Sequence, residues 1–331
     1  RATTADARPT VSSAEDATLR LETLAIDYRF GSRRSDAVRS ELKYLEDVCR
    51  SGWSSQGVVA AGFGAAYAEI EEWAAAIEWY TRAVAAPDGG AGLRALEQLG
   101  NLRARRGGAT GDRAEIRAAI AILGNVLAIA PTAERQSLLG SAYKRLADVE
   151  SDAGSRRAAL DKALEHYRAA EAIASRAGAD DLFYPAMNRM NLELRLRSRT
   201  GRTRGFEPAD VSAVRQSLAR KHELNPDFWS AVGLIELEIY AALADRRLAT
   251  VADAALSGLA DVKRRIAANK DWDSFRYQMH VTLSEYLELR GISSSERAAA
   301  QRLLQELTGE IQPRANTGKR RANSARKRRP K

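Results

Sequence analysis

From residue 14 to residue 311 the apolar side chains recur at intervals of three and four, the spacing that lines one face of an α-helix. Rival signals are weak. No stretch sustains the alternation of a half-buried strand, and no Asn-Gly or Asp-Gly pair joins two β-branched runs; Asp88-Gly89-Gly90 lies between helical stretches. The five prolines of this body, Pro87, Pro131, Pro185, Pro208 and Pro226, each stand where a helical pattern stops or starts, so their missing N–H does no harm. The fold class is therefore all-α. With 331 residues, 45 % of them hydrophobic, the chain has ample material for a core. Its single cysteine excludes a disulfide framework and a Cys-based zinc site. No apolar run reaches the roughly 18 residues of a membrane span.

The net charge of +9 suggests a nucleic-acid binder until it is located. Nine bases and no acid lie between Pro313 and Lys331, and the rest of the chain balances its 43 acids. The basicity belongs to a tail that offers salt-dependent attraction to nucleic acid. Residues 1–13 and 312–331 carry almost no large apolar side chains and are expected to be a disordered linker and a disordered basic tail. Arg1–Asp16 lacks the apolar stretch of a secretory leader, and the expected location is the cytoplasm. The absence of an initiator Met suggests a segment of a longer chain.

A small–aromatic pattern repeats along the body. Gly64, Ala76 and Ala83 alternate with Tyr67 and Tyr80 so that two antiparallel helices can approach closely, and the run Ala60–Ala83 closely resembles one tetratricopeptide repeat. The same template fits Leu139-Gly140-Ser141-Ala142-Tyr143 with Ala163, Tyr167 and Ala170 as its second helix. It fits more loosely at Leu99-Gly100, around Met187 and at Val232-Gly233. The expected architecture is a tetratricopeptide-like α-solenoid over residues 14–311, about six helix pairs in a right-handed arc.

Catalytic and cofactor patterns are missing. His166, His222 and His280 stand alone rather than at zinc-ligand spacing, and no Gly-x4-Gly-Lys-[Ser/Thr] phosphate loop occurs. Gly62-Phe63-Gly64 has Tyr67 where a dinucleotide fingerprint needs its third glycine. Cys49 reads as core filler, and Glu69, Glu71 and Glu72 as a solvated helix face. No enzyme activity, cofactor or metal is expected.

Polar side chains on the first helices of the middle repeats are more informative. With the small anchor as the eighth position, positions two, five, nine, twelve and thirteen tend to face the concave groove. For Gly100 these are Arg94, Glu97, Asn101, Ala104 and Arg105. For Gly140 they are Glu134, Ser137, Ser141, Lys144 and Arg145, with Arg135 beside them. For Met187 they are Asp181, Tyr184, Asn188, Asn191 and Leu192, whereas the Gly64 unit offers mostly alanine and valine there. Arginine presents paired donors that fit phosphate or carboxylate, and asparagine both donates and accepts. A groove with Arg94, Arg105, Arg135, Lys144 and Arg145 on an anion, Asn101, Asn188 and Tyr184 on a base or sugar, and Glu97, Glu134 and Ser141 between them is expected. The bland alternative is a set of ordinary inter-repeat ion pairs, each worth little.

The strings Leu96-Glu97-Gln98-Leu99-Gly100-Asn101, Thr132-Ala133-Glu134-Arg135-Gln136-Ser137 and Tyr184-Pro185-Ala186-Met187-Asn188 resemble the tetratricopeptide sensor module of bacterial conflict systems. A looser likeness is to the TRAF-binding helical region of MAP-kinase kinase kinases. The strong stretch is 94–191. The resemblance implies a non-catalytic sensor of a nucleotide-derived signal, coupled to an effector such as a caspase-like peptidase or a TIR enzyme. The other function open at this point is a scaffold whose groove clamps an acidic peptide.

Overall fold

A computed structural model describes residues 11–50, 52–178, 181–198, 205–265 and 269–308. Within them lie fourteen α-helices and no strand: α1 (Ala14–Arg29), α2 (Ser35–Cys49), α3 (Gly57–Glu69), α4 (Trp73–Ala85), α5 (Gly92–Thr110), α6 (Arg113–Ile129), α7 (Ala133–Val149), α8 (Ala153–Ala177), α9 (Phe183–Ser198), α10 (Pro208–Leu224), α11 (Phe228–Asp245), α12 (Leu248–Arg265), α13 (Asn269–Leu287) and α14 (Ser294–Thr308). That is two helices more than six pairs require. The chain divides into two compact units at Leu196/Arg197. The composition placed no boundary there.

In the first unit α3 packs on α4, α5 on α6 and α7 on α8, and each hairpin packs on the next through α4–α5, α6–α7 and α5–α7. This is the all-α, tetratricopeptide-like solenoid that the sequence pattern called for. The anchors work as steric gaps. A Cβ on Gly64 would come within 2.7 Å of the Tyr80 ring, one on Gly100 within 2.7 Å of Leu123, and one on Gly140 within 2.8 Å of the Tyr167 ring. Polar side chains start the helices: Asp112 accepts from Ala114 and Glu115 N–H, Thr132 from Arg135 N–H, and Asp152 from Ser155 N–H, each satisfying donors that have no partner in the first turn. The chain joins the core earlier than the linker boundary implied, because Val11 is buried and Ser13 caps α1. Residues 1–10 and the basic tail lie outside the described residues.

In the second unit α11 packs on α10, α12 and α13, and α14 packs on α12 and α13. Gly233 does not sit as its repeat template implies. Its Cβ position faces Leu218 on the preceding helix at 2.6 Å, and α12 meets α11 through Gly258 against Ile235 instead. The buried Glu296 of α14 accepts from the N–H groups of Leu248 and Ala249 at 2.9 and 2.8 Å and from the Tyr286 hydroxyl at 2.7 Å. One carboxylate thereby caps α12 and favourably meets the positive end of its dipole.

Candidate functional site

The predicted polar positions fall on α5 and α7, the first helices of successive hairpins, and on α9, and the structure sorts them into two groups. Around the last turns of α7, Lys144 Nζ donates to Asn188 Oδ1 at 2.7 Å, and Asn188 Nδ2 donates to the Tyr184 carbonyl at 3.0 Å. Lys144 also stands 6.0 Å from the centre of the Tyr167 ring. Its neighbour Arg145 donates to the carbonyl of Ser141 at 3.2 Å and to the Ser141 hydroxyl. The aliphatic stem of Arg145 lies over Gly108 of α5, where a Cβ would be 3.3 Å from its Cδ. Glycine at 108 is thus what lets α7's arginine reach across to α5.

The electrostatics of this group are one-sided. Arg105, one turn before Gly108, adds its charge to the effect of burial, and together they push the Arg145 guanidinium below its ordinary value. The Arg105 Nε is buried with no hydrogen-bond partner. The acid that acts on Arg145, Asp148, is committed to Arg195 of α9 at 2.7 Å, a pair in which the arginine is 3 % exposed. Tyr184 presents a ring that is 47 % exposed beside these cations. Underneath, the Tyr167 hydroxyl is buried within reach of the Ser141 and Tyr184 hydroxyls, and burial is the main cause that pushes its pKa well up. Two guanidinium groups without an ion pair of their own among the described residues, an ammonium and an aromatic face are thus brought together on α5, α7 and α9.

In the second group an ion pair joins α7 to α5. Arg135 Nε donates to Glu97 Oε1 at 2.7 Å, with exposures of 13 % and 8 %, and its Nη1 donates to the Ala130 carbonyl at 2.6 Å. The pair ties α7 to α5 about 15 Å along α7 from Arg145, given ten residues at 1.5 Å each. Glu134 and Arg94 are exposed at the same end of their helices, and Arg94 bears on the Tyr80 hydroxyl. Asn101 is half-buried on α5, one turn from Glu97 and one from Arg105. Ser137, Ala104, Asn191 and Leu192, read as groove positions, are buried. The helices here run to 19 and 17 residues in α5 and α7, and a register counted from a shorter repeat unit drifts around them.

Residues set aside in the sequence are accounted for. Cys49 is fully buried in the core, which pushes its thiol pKa up. His166 meets Gln136 at 2.7 Å and stacks on Tyr143, and His222 meets Ser230. Glu69 pairs with Arg29 at 2.5 Å and Glu72 with Arg39, so two of the three clustered acids join helices rather than work as an acid pair. Among the described residues no group of three potential metal ligands forms. Sequence reasoning missed the Tyr167 hydroxyl. A tyrosine where a purely packing role needs only phenylalanine was the available signal.

Stacked antiparallel hairpins whose small residues admit the bulky side chains of the paired helix define a tetratricopeptide type of repeat. Within the first unit, residues 72–193 match the family model described as Tetratricopeptide Repeats-Sensor. That stretch is therefore similar to the sensor module whose likeness the strings of α5, α7 and α9 carried. It runs from α4 into α9 and contains both groups of polar residues. No curated protein matches the chain.

Proposed function

We propose that the chain is a sensor module that takes up a small anionic, nucleotide-derived ligand on the α5–α7–α9 face and switches a coupled effector. The observation that carries this reading is Arg105 beside Arg145, neither in an ion pair among the described residues, with Asp148, the acid that acts on Arg145, paired to Arg195. Two like charges held together cost free energy that an arriving phosphate returns, so the site favours an anion beyond the hydrogen bonds it forms. Arg105 and Arg145 hold the phosphoryl oxygens, the exposed Tyr184 ring stacks on a base, and Asn101 and Asn188 supply amides for sugar or base edges. Lys144, drawn toward the ligand, lets go of Asn188 and loosens the α7–α9 contact, which is the switching step. The groups that converge are donors and an aromatic face, suited to holding a ligand rather than turning it over. The effector is of the caspase-like peptidase or TIR enzyme kind, and the module acts in the cytoplasm in defence signalling. Among the described residues no helix is long and apolar enough to cross a membrane.

Thermal denaturation against a panel of cyclic nucleotides and ADP-ribose derivatives tests the proposal. A ligand at 100 times its Kd stabilises by about 2.7 kcal/mol, a shift of several degrees. A chain that ignores the whole panel yet is stabilised by an acidic peptide is a scaffold, and the sensor reading fails.

A further inference from the structure

The outer face of α1 carries an apolar stripe that nothing in the described chain covers. Leu19 is 64 % exposed, Ile26 50 % and Phe30 77 %, while Ala17, Leu21, Leu24 and Ala25 on the opposite face are buried in the first unit. With Thr23, the exposed residues fall at spacings of four, three and four. At 100° per residue they lie within an arc of about 60°. That is the narrow seam of a coiled coil rather than the broad stripe of a helix facing a core. Single exposed apolar residues need no explanation, but three on one seam do.

Neither terminal segment of this chain supplies a cover. Residues 1–10 contain no large apolar residue, and residues 309–331 contain only Ile311. The charges on α1 point to what does. Glu15, Glu22 and Arg29 run along one flank of the seam, acids toward the N-terminal end and the arginine at the C-terminal end. Arg29 already reaches Glu69 yet keeps 58 % of its side chain exposed, and Glu22 is exposed with no ion pair among the described residues.

We propose that α1 is a self-association surface on which a second copy of this chain docks its own α1, antiparallel about a two-fold axis. A perpendicular two-fold sets the same flank of both helices side by side with directions reversed. Leu19 then meets Phe30 of the second copy, Thr23 meets Ile26, and Glu22 comes beside Arg29, twice over by symmetry. A parallel pairing would set this flank against the opposite flank of the second copy, bringing Glu22 toward Asp27 instead of Arg29.

Sedimentation velocity on the full chain, from about 1 to about 100 µM, reads the result directly. A reversible dimer is expected, and Ile26→Glu weakens it by roughly thirtyfold or more. Ile26 is solvent-facing in the single chain, so circular dichroism and melting temperature stay unchanged and separate lost association from lost folding. Glu22→Arg and Arg29→Glu each weaken the dimer about three- to tenfold, and the double variant restores it. A chain monomeric throughout the range overturns the proposal. So does a dimer indifferent to Ile26→Glu, or a double charge swap weaker than either single change.

Discussion

Arg135 of α7 holds Glu97 of α5 at 2.7 Å where both side chains are nearly removed from water. The contact is an inter-repeat strut, although both residues belong to the same polar pattern in the sequence as the proposed anion site. Replacing Glu97 by alanine strands a guanidinium that keeps only the Ala130 carbonyl. Removing one partner of a buried pair costs about 3 kcal/mol or more. Glu97→Ala is therefore expected to lower the urea midpoint markedly, with m unchanged, while a ligand still binds below the melting transition. Wild-type stability in Glu97→Ala would show that the pair contributes nothing to inter-repeat packing.

Glycines 140 and 124 sit in neighbouring hairpins and predict opposite outcomes. A Cβ at 140 collides with the Tyr167 ring, which is fully buried and cannot swing away, whereas a Cβ at 124 in α6 meets nothing within 4 Å. Gly140→Ala is expected to destabilise by about 1–3 kcal/mol through overpacking. Gly124→Ala is expected to stabilise by about 0.5–1 kcal/mol by restricting the unfolded backbone. Chemical denaturation of the two variants side by side decides it, and equal shifts would mean the Gly140 register is wrong.

How much of this was legible in sequence varies with what each residue has to do. The anchors Gly64, Gly100 and Gly140 were readable because a close helix contact demands a small residue with a bulky one at fixed offset, and Tyr80, Leu123 and Tyr167 stand there. Gly233 failed the same test because a small residue admits a neighbour from either side, and in α11 the neighbour is Leu218 of the preceding helix. The polar residues of α5, α7 and α9 were legible as a set but not as two sets. Whether an arginine meets a carboxylate or another arginine depends on how two helices are rotated, which spacing along one helix does not encode. Arg135 was the readable exception. It lies nine residues, 180° around an ideal helix, from Lys144, so the two could not face the groove alike.

Acid is expected to weaken the first unit through His166. Burial pushes the imidazole below its ordinary 6.5, more than the nearby Glu165 raises it, and Lys162 lowers it further. The unfolded chain thus takes up a proton near pH 6.5 that the folded chain refuses until lower pH. Stability from this group is complete above 6.5 and is lost as pH falls toward the folded value. Urea titrations between about pH 5 and about pH 8 should show His166→Phe, which keeps the stack on Tyr143, with a shallower acid decline than the parent. Parallel curves would remove His166 from the acid response.

The proposed anion site makes the sharpest prediction, because function and stability should part company there. Arg145 sits against Arg105 with Ser141 as its hydrogen-bond partner and no acid of its own. Removing either guanidinium relieves repulsion, so Arg105→Gln and Arg145→Gln are expected to melt at or above the parent temperature, as functional residues held in unfavourable surroundings often do. The same changes should cost roughly 1.5–3 kcal/mol in binding, about ten- to a hundredfold in Kd for the ligand that the thermal panel identifies. Arg145→Lys keeps the charge but loses the planar fork and should fall between. Inorganic pyrophosphate offers a first probe: it should raise the melting temperature of the parent and leave both glutamine variants unmoved. Arg135→Ala is the control, expected to lose stability and keep the pyrophosphate response. If Arg145→Gln is instead destabilised and still answers to pyrophosphate as the parent does, the cluster is packing and the ligand binds elsewhere.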